Sequence, residues 1–265
     1  MEKPSPLAVV VAGLAMLTLT VALAPATVAS PSAVARVLGE ARFQRALLLS
    51  LVTATISASI AVLLSIPVAY YVSRRSSSLA RLVSSLHLLF LGLPPVGLGV
   101  SILILLRHLP PFTLAEERIG ILFTLKAVIV AQAAVVAPLA ISLLTSVFSY
   151  IPRTLDELAS LYGLQGTGLL ARILLPVALP GIAGAWVLSL FRAIGEFGAT
   201  LVLAGNTPGY TETLPLAIYN MISVADVEAA GALLLVTVGL GVVLLLIYTR
   251  LQAVLSRRLE ALGWG

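Results

Sequence analysis

The sequence predicts an all-α polytopic membrane protein with six transmembrane helices, and three observations carry that prediction. Of the 265 residues, 60% are hydrophobic and only 10% are charged, far from the composition of a soluble globular domain. The apolar residues collect into charge-free runs longer than the ~20 residues a helix needs to cross a bilayer. Arginine and lysine fall singly or in pairs between those runs, where membrane topology places them. The net charge of +5 is explained by that topology and builds no extended basic patch for a nucleic-acid partner. With no cysteine, the chain has no disulfide framework, thiolate metal site or thiol nucleophile.

The elements follow in order. Residues 4–35 make the first run; Lys3 ahead of it and the small residues from Ala26 to Ser30 resemble a secretory signal, but Leu7 to Ala24 exceeds the usual length of such a segment and favours a retained span. Span two, residues 46–73, carries Thr53, Thr55, Ser57, Ser59 and Ser65, small hydroxylated residues that favour close helix packing. Span three, residues 82–106, contains Pro94 and Pro95 followed by Gly97 and Gly99, which break or kink a helix in mid-membrane. Such a break lines a transport path or serves packing alone, and both readings stand. Residues 127–152 form span four, span five runs from near Ala178 to about Ala204, and residues 229–249 form span six.

Span five is interrupted by Arg192 and Glu196, and ionisable groups inside a span raise a functional question by default. Four residues apart, they can pair on one helix face, so they are a structural pair or a contact for a passing anion. His87 and His108 have no carboxylate or second histidine at ligand spacing, so no metal site is expected. Six spans put both termini on one side. Placing that side in the cytoplasm sets nine basic residues inside (Lys3, Arg74, Arg75, Arg81, Arg153, Arg172, Arg250, Arg257, Arg258) against six outside.

The stretch from Thr154 to Pro176 carries more pattern than a connection needs. Thr154 and Glu157 stand at capping-box spacing, Asp156 and Glu157 suit the positive end of a helix dipole, and Gly163 suits a left-handed terminus. Leu155, Leu158, Leu161 and Tyr162 form an apolar stripe, and Thr167 can cap a second short helix before Pro176. A helix, a glycine turn and a second helix are expected.

Here the residues resemble a known family. Glu157, Ala159, Gly163, Ile173, Leu175 and Pro176 match the E-A-A-x3-G-x9-I-x-L-P loop of permease subunits in binding-protein-dependent ATP-binding-cassette importers, with Leu158 replacing one alanine. The resemblance implies a cytoplasmic coupling helix-turn-helix between spans four and five that docks on a separate ATPase. It implies in turn that Glu157 orients the helix, Ala159 keeps it slim and Gly163 makes the turn. The stretch from Phe191 to Tyr219 resembles the molybdate, tungstate and sulfate branch, through G-E-F-G-A-T, A-G-N and T-L-P-L-A-I-Y.

The resemblance divides the chain into residues 1–44, a first transmembrane helix and external loop; 45–251, the permease domain; and 252–265, a short cytoplasmic tail. It implies a multi-pass plasma-membrane protein, a homodimer joined by two ATPase subunits and an external oxyanion-binding protein. No G-x4-G-K-[ST] loop occurs, so ATP and magnesium belong to the partner ATPase and the chain itself has no cofactor and no catalytic residue. The expected cargo is a tetrahedral oxyanion, molybdate or tungstate ahead of sulfate or thiosulfate. An ion-coupled secondary transporter is the alternative class, though Glu196 is its only intramembrane acid.

Overall fold

The computed structural model describes residues 6–261, and Lys3 lies outside them. All regular elements among the described residues are helical. The first is α1 (Pro6–Leu23), which ends in a single 3-10 turn, Ala24–Thr27, and is followed by α2 (Pro31–Gly39), capped by Ser30. Then comes α3 (Ala41–Arg74), a 34-residue helix. At 1.5 Å per residue it is about 50 Å long, well beyond a ~30 Å hydrocarbon core.

Span three is broken, as the prolines predict. Helices α4 (Ser78–Gly92) and α5 (Pro95–His108) meet at 112° around Leu93 and Pro94. A short helix, α6 (Phe112–Ile119), leads to α7 (Leu125–Tyr150).

Helices α3 and α7 form the central pair, and they run parallel. Ser57 Oγ donates to the Ile129 carbonyl at 3.1 Å, Ser65 Oγ to the Ala137 carbonyl at 3.4 Å, and Arg74 Nη1 to the Ile151 carbonyl at 2.9 Å. Each contact steps forward along both helices. Two parallel helices need one return crossing between them, so the bent α4–α5 pair crosses the bilayer once and completes six spans with the five long apolar helices. The hydroxyls of span two serve packing in the same way: Ser59 Oγ accepts from Trp186 Nε1 at 3.0 Å, and Ser50 Oγ accepts from the Leu214 amide at 2.7 Å.

The second half departs from the expected boundaries. After α8 (Thr154–Leu161), a helical turn α9 (Gly166–Leu169) passes through a π turn at Leu170–Leu174 into α10 (Leu175–Ile194). Span five therefore starts at Gly166, ahead of Ala178, and its helix ends at Ile194, short of Ala204. Pro176 explains the π turn: it lacks an N–H for the Arg172 carbonyl and its ring would crowd that group, and the wider turn makes room.

A break at Gly195–Phe197 separates α10 from α11 (Gly198–Ala204). Between spans five and six lies a further helix, α12 (Leu214–Ser223), one face of which is buried, before α13 (Val227–Ala261). Helix α12 has 10 residues, too few for a span count to register. Helix α13 runs antiparallel to α10, with Gly241 against the Phe191 ring and Gly184 against Tyr248, so its C-terminal end lies on the side of α8.

Candidate functional site

The expected helix–turn–helix is present, but its first cap differs. Helix α8 opens on Arg153 with no side-chain cap, because the turn starts at Pro152, whose carbonyl accepts from the Leu155 amide at 3.2 Å. The Thr154–Glu157 capping box is not formed. Thr167 is likewise no cap, as the next turn begins from Gln165. Asp156 and Glu157 do occupy the first turn. The C-terminal end follows the sequence closely. Gly163 sits at φ +73°, the Leu164 amide donates to the Ala159 carbonyl and the Gly163 amide to the Ser160 carbonyl, both at 3.0 Å. These are the two bonds of a Schellman motif.

The six matched residues divide between two faces. Ala159, only 3% exposed, packs with Ile173 and Leu175 in a core cluster built on Leu144, Phe148, Ile151 and Leu174. Glu157, Gly163 and Pro176 face outward. Beside them Leu158, Leu161 and Tyr162 project from α8, the last two 79% and 84% exposed. Of the predicted apolar stripe, Leu155 alone turns to the core.

Helix α8 is fastened to the end of α3. Arg74 Nε lies 3.2 Å from Asp156 Oδ2, Arg153 Nη2 donates to the Ser73 carbonyl at 3.4 Å, and the Tyr70 hydroxyl donates to the Gly166 carbonyl at 3.4 Å. The Arg74–Asp156 contact is an ion pair without a directed hydrogen bond, since Arg74 Nε and Asp156 Oδ1 find no hydrogen-bond partner in the chain. Burial pushes the Asp156 carboxyl above its ordinary value, against the opposing pull of Arg74 and Arg153. The sequence puts Asp156 in the first turn of this helix, as found, but does not bring it to Arg74, because nothing local links the two.

Arg192 and Glu196 do pair, Nη1 to Oε2 at 3.1 Å. Glu196 is 1% exposed, and its Oε1 accepts from the Ala199 amide at 2.8 Å, so one carboxylate neutralises Arg192 and caps α11 across the break. The two broken spans meet here. A Cβ on Gly99 would lie 2.9 Å from Ala199 Cα, and one on Gly198 would lie 2.7 Å from Val96 Cγ2. Pro95 therefore opens a helix whose first turns touch α11, while Pro94 is exposed. Gly195 has no such close neighbour.

On the face opposite α8, Arg42 at the start of α3 grips Glu212, with Nε 2.9 Å from Oε2. Glu212 is 2% exposed and also accepts from Asn220 Nδ2 at 2.6 Å, and Asn220 exchanges amide bonds with Asn206. A turn follows α11, with Gly209 at φ +77° and the Thr207 carbonyl accepting from three amides.

A multi-pass helical bundle with two broken spans that meet, and with an exposed helix–turn–helix on one face, is the architecture of a membrane permease. The chain belongs to the family of binding-protein-dependent transport system inner membrane components, whose model matches residues 61–261. These are the permease subunits of ATP-binding-cassette importers. The chain is 38% identical over 204 residues to the molybdenum transport system permease protein ModB of Mycobacterium tuberculosis, covering 76% of this chain and 77% of that one. A probable molybdenum ABC transporter permease of Haloferax volcanii is 36% identical over 194 residues, covering 73% and 70%. The fold matches the inward-facing MetNI methionine ABC transporter, with a TM-score of 0.60 and 24% identity over 81% of this chain and 94% of that one. It also matches a bacterial alginate ABC transporter in complex with a periplasmic protein, with a TM-score of 0.62 and 19% identity over 89% and 85%.

Proposed function

We propose that the chain forms the transmembrane pathway of an ATP-driven importer of molybdate. It works as a homodimer in the plasma membrane, with two ATPase subunits on the α8 face and an oxyanion-binding protein on the other. The observation that carries this reading is the α8 knob. Leu158, Leu161 and Tyr162 project outward, while the back of the helix is held by Arg74, Arg153 and Tyr70 and the chain continues as helix into span five. A push on this knob moves α3 and α10 together, which is what a coupling element must do. Glu157, Gly163 and Pro176 lie on the outward face beside the knob, and Ala159, Ile173 and Leu175 seat it on the bundle.

The α8 face is cytoplasmic in this reading, with both termini, because the ATPases need ATP and because nine of the basic residues fall on that side. ATP and magnesium reside on the partner. Molybdate is supported by the relatives named as molybdenum transport permeases. The interior suits a passing dianion: Arg192 and Arg42 are each matched by a buried carboxylate, so neither makes a deep cationic well.

The test is molybdate uptake into proteoliposomes containing the chain, its ATPase and the binding protein, with ATP supplied on the ATPase side. ATP-dependent accumulation that tungstate blocks and sulfate leaves unchanged is expected. Uptake driven by an ion gradient without ATP would overturn the reading.

A further inference from the structure

A second polar feature lies on the α8 side of the protein, between the last turn of α3 and the first two turns of α4. It is an open groove of about 510 Å³, lined by Arg75, Ser76, Arg81, Ser84 and Ser85 with a floor of Val72 and Ala80. No acid lines it. Arg81 is positioned by donating to the Ser76 carbonyl at 3.0 Å and to Ser78 Oγ at 3.2 Å, which leaves most of its donors uncommitted. The Arg75 side chain is exposed and makes no hydrogen bond or ion pair among the described residues, its only bond being from its backbone amide to the Tyr71 carbonyl at 3.0 Å. Helix α3 ends at Arg74, so Arg75 follows directly on the last turn of a long apolar helix.

The surface next to the groove fits a lipid. Leu79, Leu82 and Leu86 of α4 are exposed and form a stripe at i, i+3 and i+7 beside the row of Ala80, Arg81, Ser84 and Ser85. Two guanidiniums facing one phosphate leave excess positive charge, which disfavours a choline headgroup and favours an anionic one.

We propose that this groove binds the headgroup of an anionic phospholipid, with Arg75 and Arg81 on the phosphate, the serine hydroxyls on the glycerol headgroup and an acyl chain along Leu82 and Leu86. The lipid then sits one residue from Arg74 and braces the end of α3 that holds α8. This goes beyond the transport reading and does not require that the cargo be molybdate.

The experiment is native mass spectrometry of the full chain with its ATPase partner, equilibrated with dioleoylphosphatidylglycerol and dioleoylphosphatidylcholine. Preferential retention of phosphatidylglycerol is expected, weakened about fivefold by Arg75→Gln and about fivefold by Arg81→Gln. Ser84→Leu fills the groove without altering charge and is expected to abolish the preference, which keeps the test open if an arginine variant fails to insert. Equal retention of both lipids would overturn the proposal, as would retention unchanged by all three substitutions. Displacement of the lipid by millimolar inorganic phosphate would overturn it in favour of a free-anion site.

Discussion

Arg74 and Asp156 join the end of the second span to helix α8 through an ion pair, 3.2 Å from Nε to Oδ2, with the Arg74 side chain 7% exposed. Removing either partner leaves the other largely buried and unmatched. Asp156→Asn or Arg74→Gln is expected to preserve insertion but lower transport per ATP hydrolysed, with a stability loss of about 1–3 kcal/mol for the orphaned group. Uptake and ATPase rates measured on the same proteoliposomes check this, and an unchanged ratio would show that the pair has no part in coupling.

The same pair predicts a pH dependence. Burial raises the Asp156 carboxyl above its unfolded value of 3.8, so the folded state holds that proton more tightly than the unfolded chain does. Its stabilising contribution is full below pH 3.8 and is lost as pH rises through the elevated folded value. Thermal melts of the detergent-solubilised chain at acid pH, compared with Asp156→Asn, should show this component vanish in the variant.

The knob and its seat separate by mutation. Tyr162→Ala or Leu161→Asp alters only exposed surface and should weaken ATPase association with a melting temperature close to that of the unaltered chain. Ala159→Leu puts bulk into a packed cluster and should cost about 1–3 kcal/mol. Gly163→Ala strains a left-handed residue by about 1 kcal/mol, and Gly163→Pro should abolish the turn. Because the chain has no native cysteine, Tyr162→Cys can be crosslinked to the ATPase without background, and Ala159→Cys should not react.

Gly99 and Gly198 test the meeting of the two broken spans. Gly99→Ala sets a methyl group 2.9 Å from backbone, which no rotamer change relieves, so about 1–3 kcal/mol of destabilisation is expected. Gly97→Ala, with nothing within 4 Å, should stay within about 0.5 kcal/mol. Equal melting temperatures for the two variants would contradict the packing.

Glu196 has two duties, and they can be divided. Glu196→Gln retains an acceptor for the Ala199 amide while releasing Arg192; Glu196→Ala loses both. The alanine variant should be the less stable by about 1 kcal/mol. Arg192→Gln should reduce transport through poor assembly, and a normally assembled variant with selective loss of one anion would assign Arg192 to the path instead.

The features legible in the sequence are those written locally. Charge-free runs marked the spans, Pro94 and Pro95 marked the break, Gly163 marked the left-handed turn, and the spacing of Arg192 and Glu196 marked their pairing. The misses have physical causes. Thr154 satisfies a capping pattern that Pro152 forestalls by starting the turn earlier. Helix α12 is too short for a span count, and Arg172 hides the continuity of α9 with span five. The Arg42–Glu212 and Arg74–Asp156 pairs depend on the parallel seating of α3 and α7 and on the return of the chain across the bundle, which no local spacing encodes.

The long helix α3 has an arginine grip at each end, on Glu212 at one face and on Asp156 at the other. Those two arginines stand roughly 48 Å apart along one rod. With such a lever arm, a tilt of about 5° displaces the far end by about 4 Å, more than the length of a hydrogen bond. On the proposed function, a modest swing of the α8 knob is thus enough to make or break the polar latch on the other side, so that a mechanical signal carrying no charge crosses the membrane.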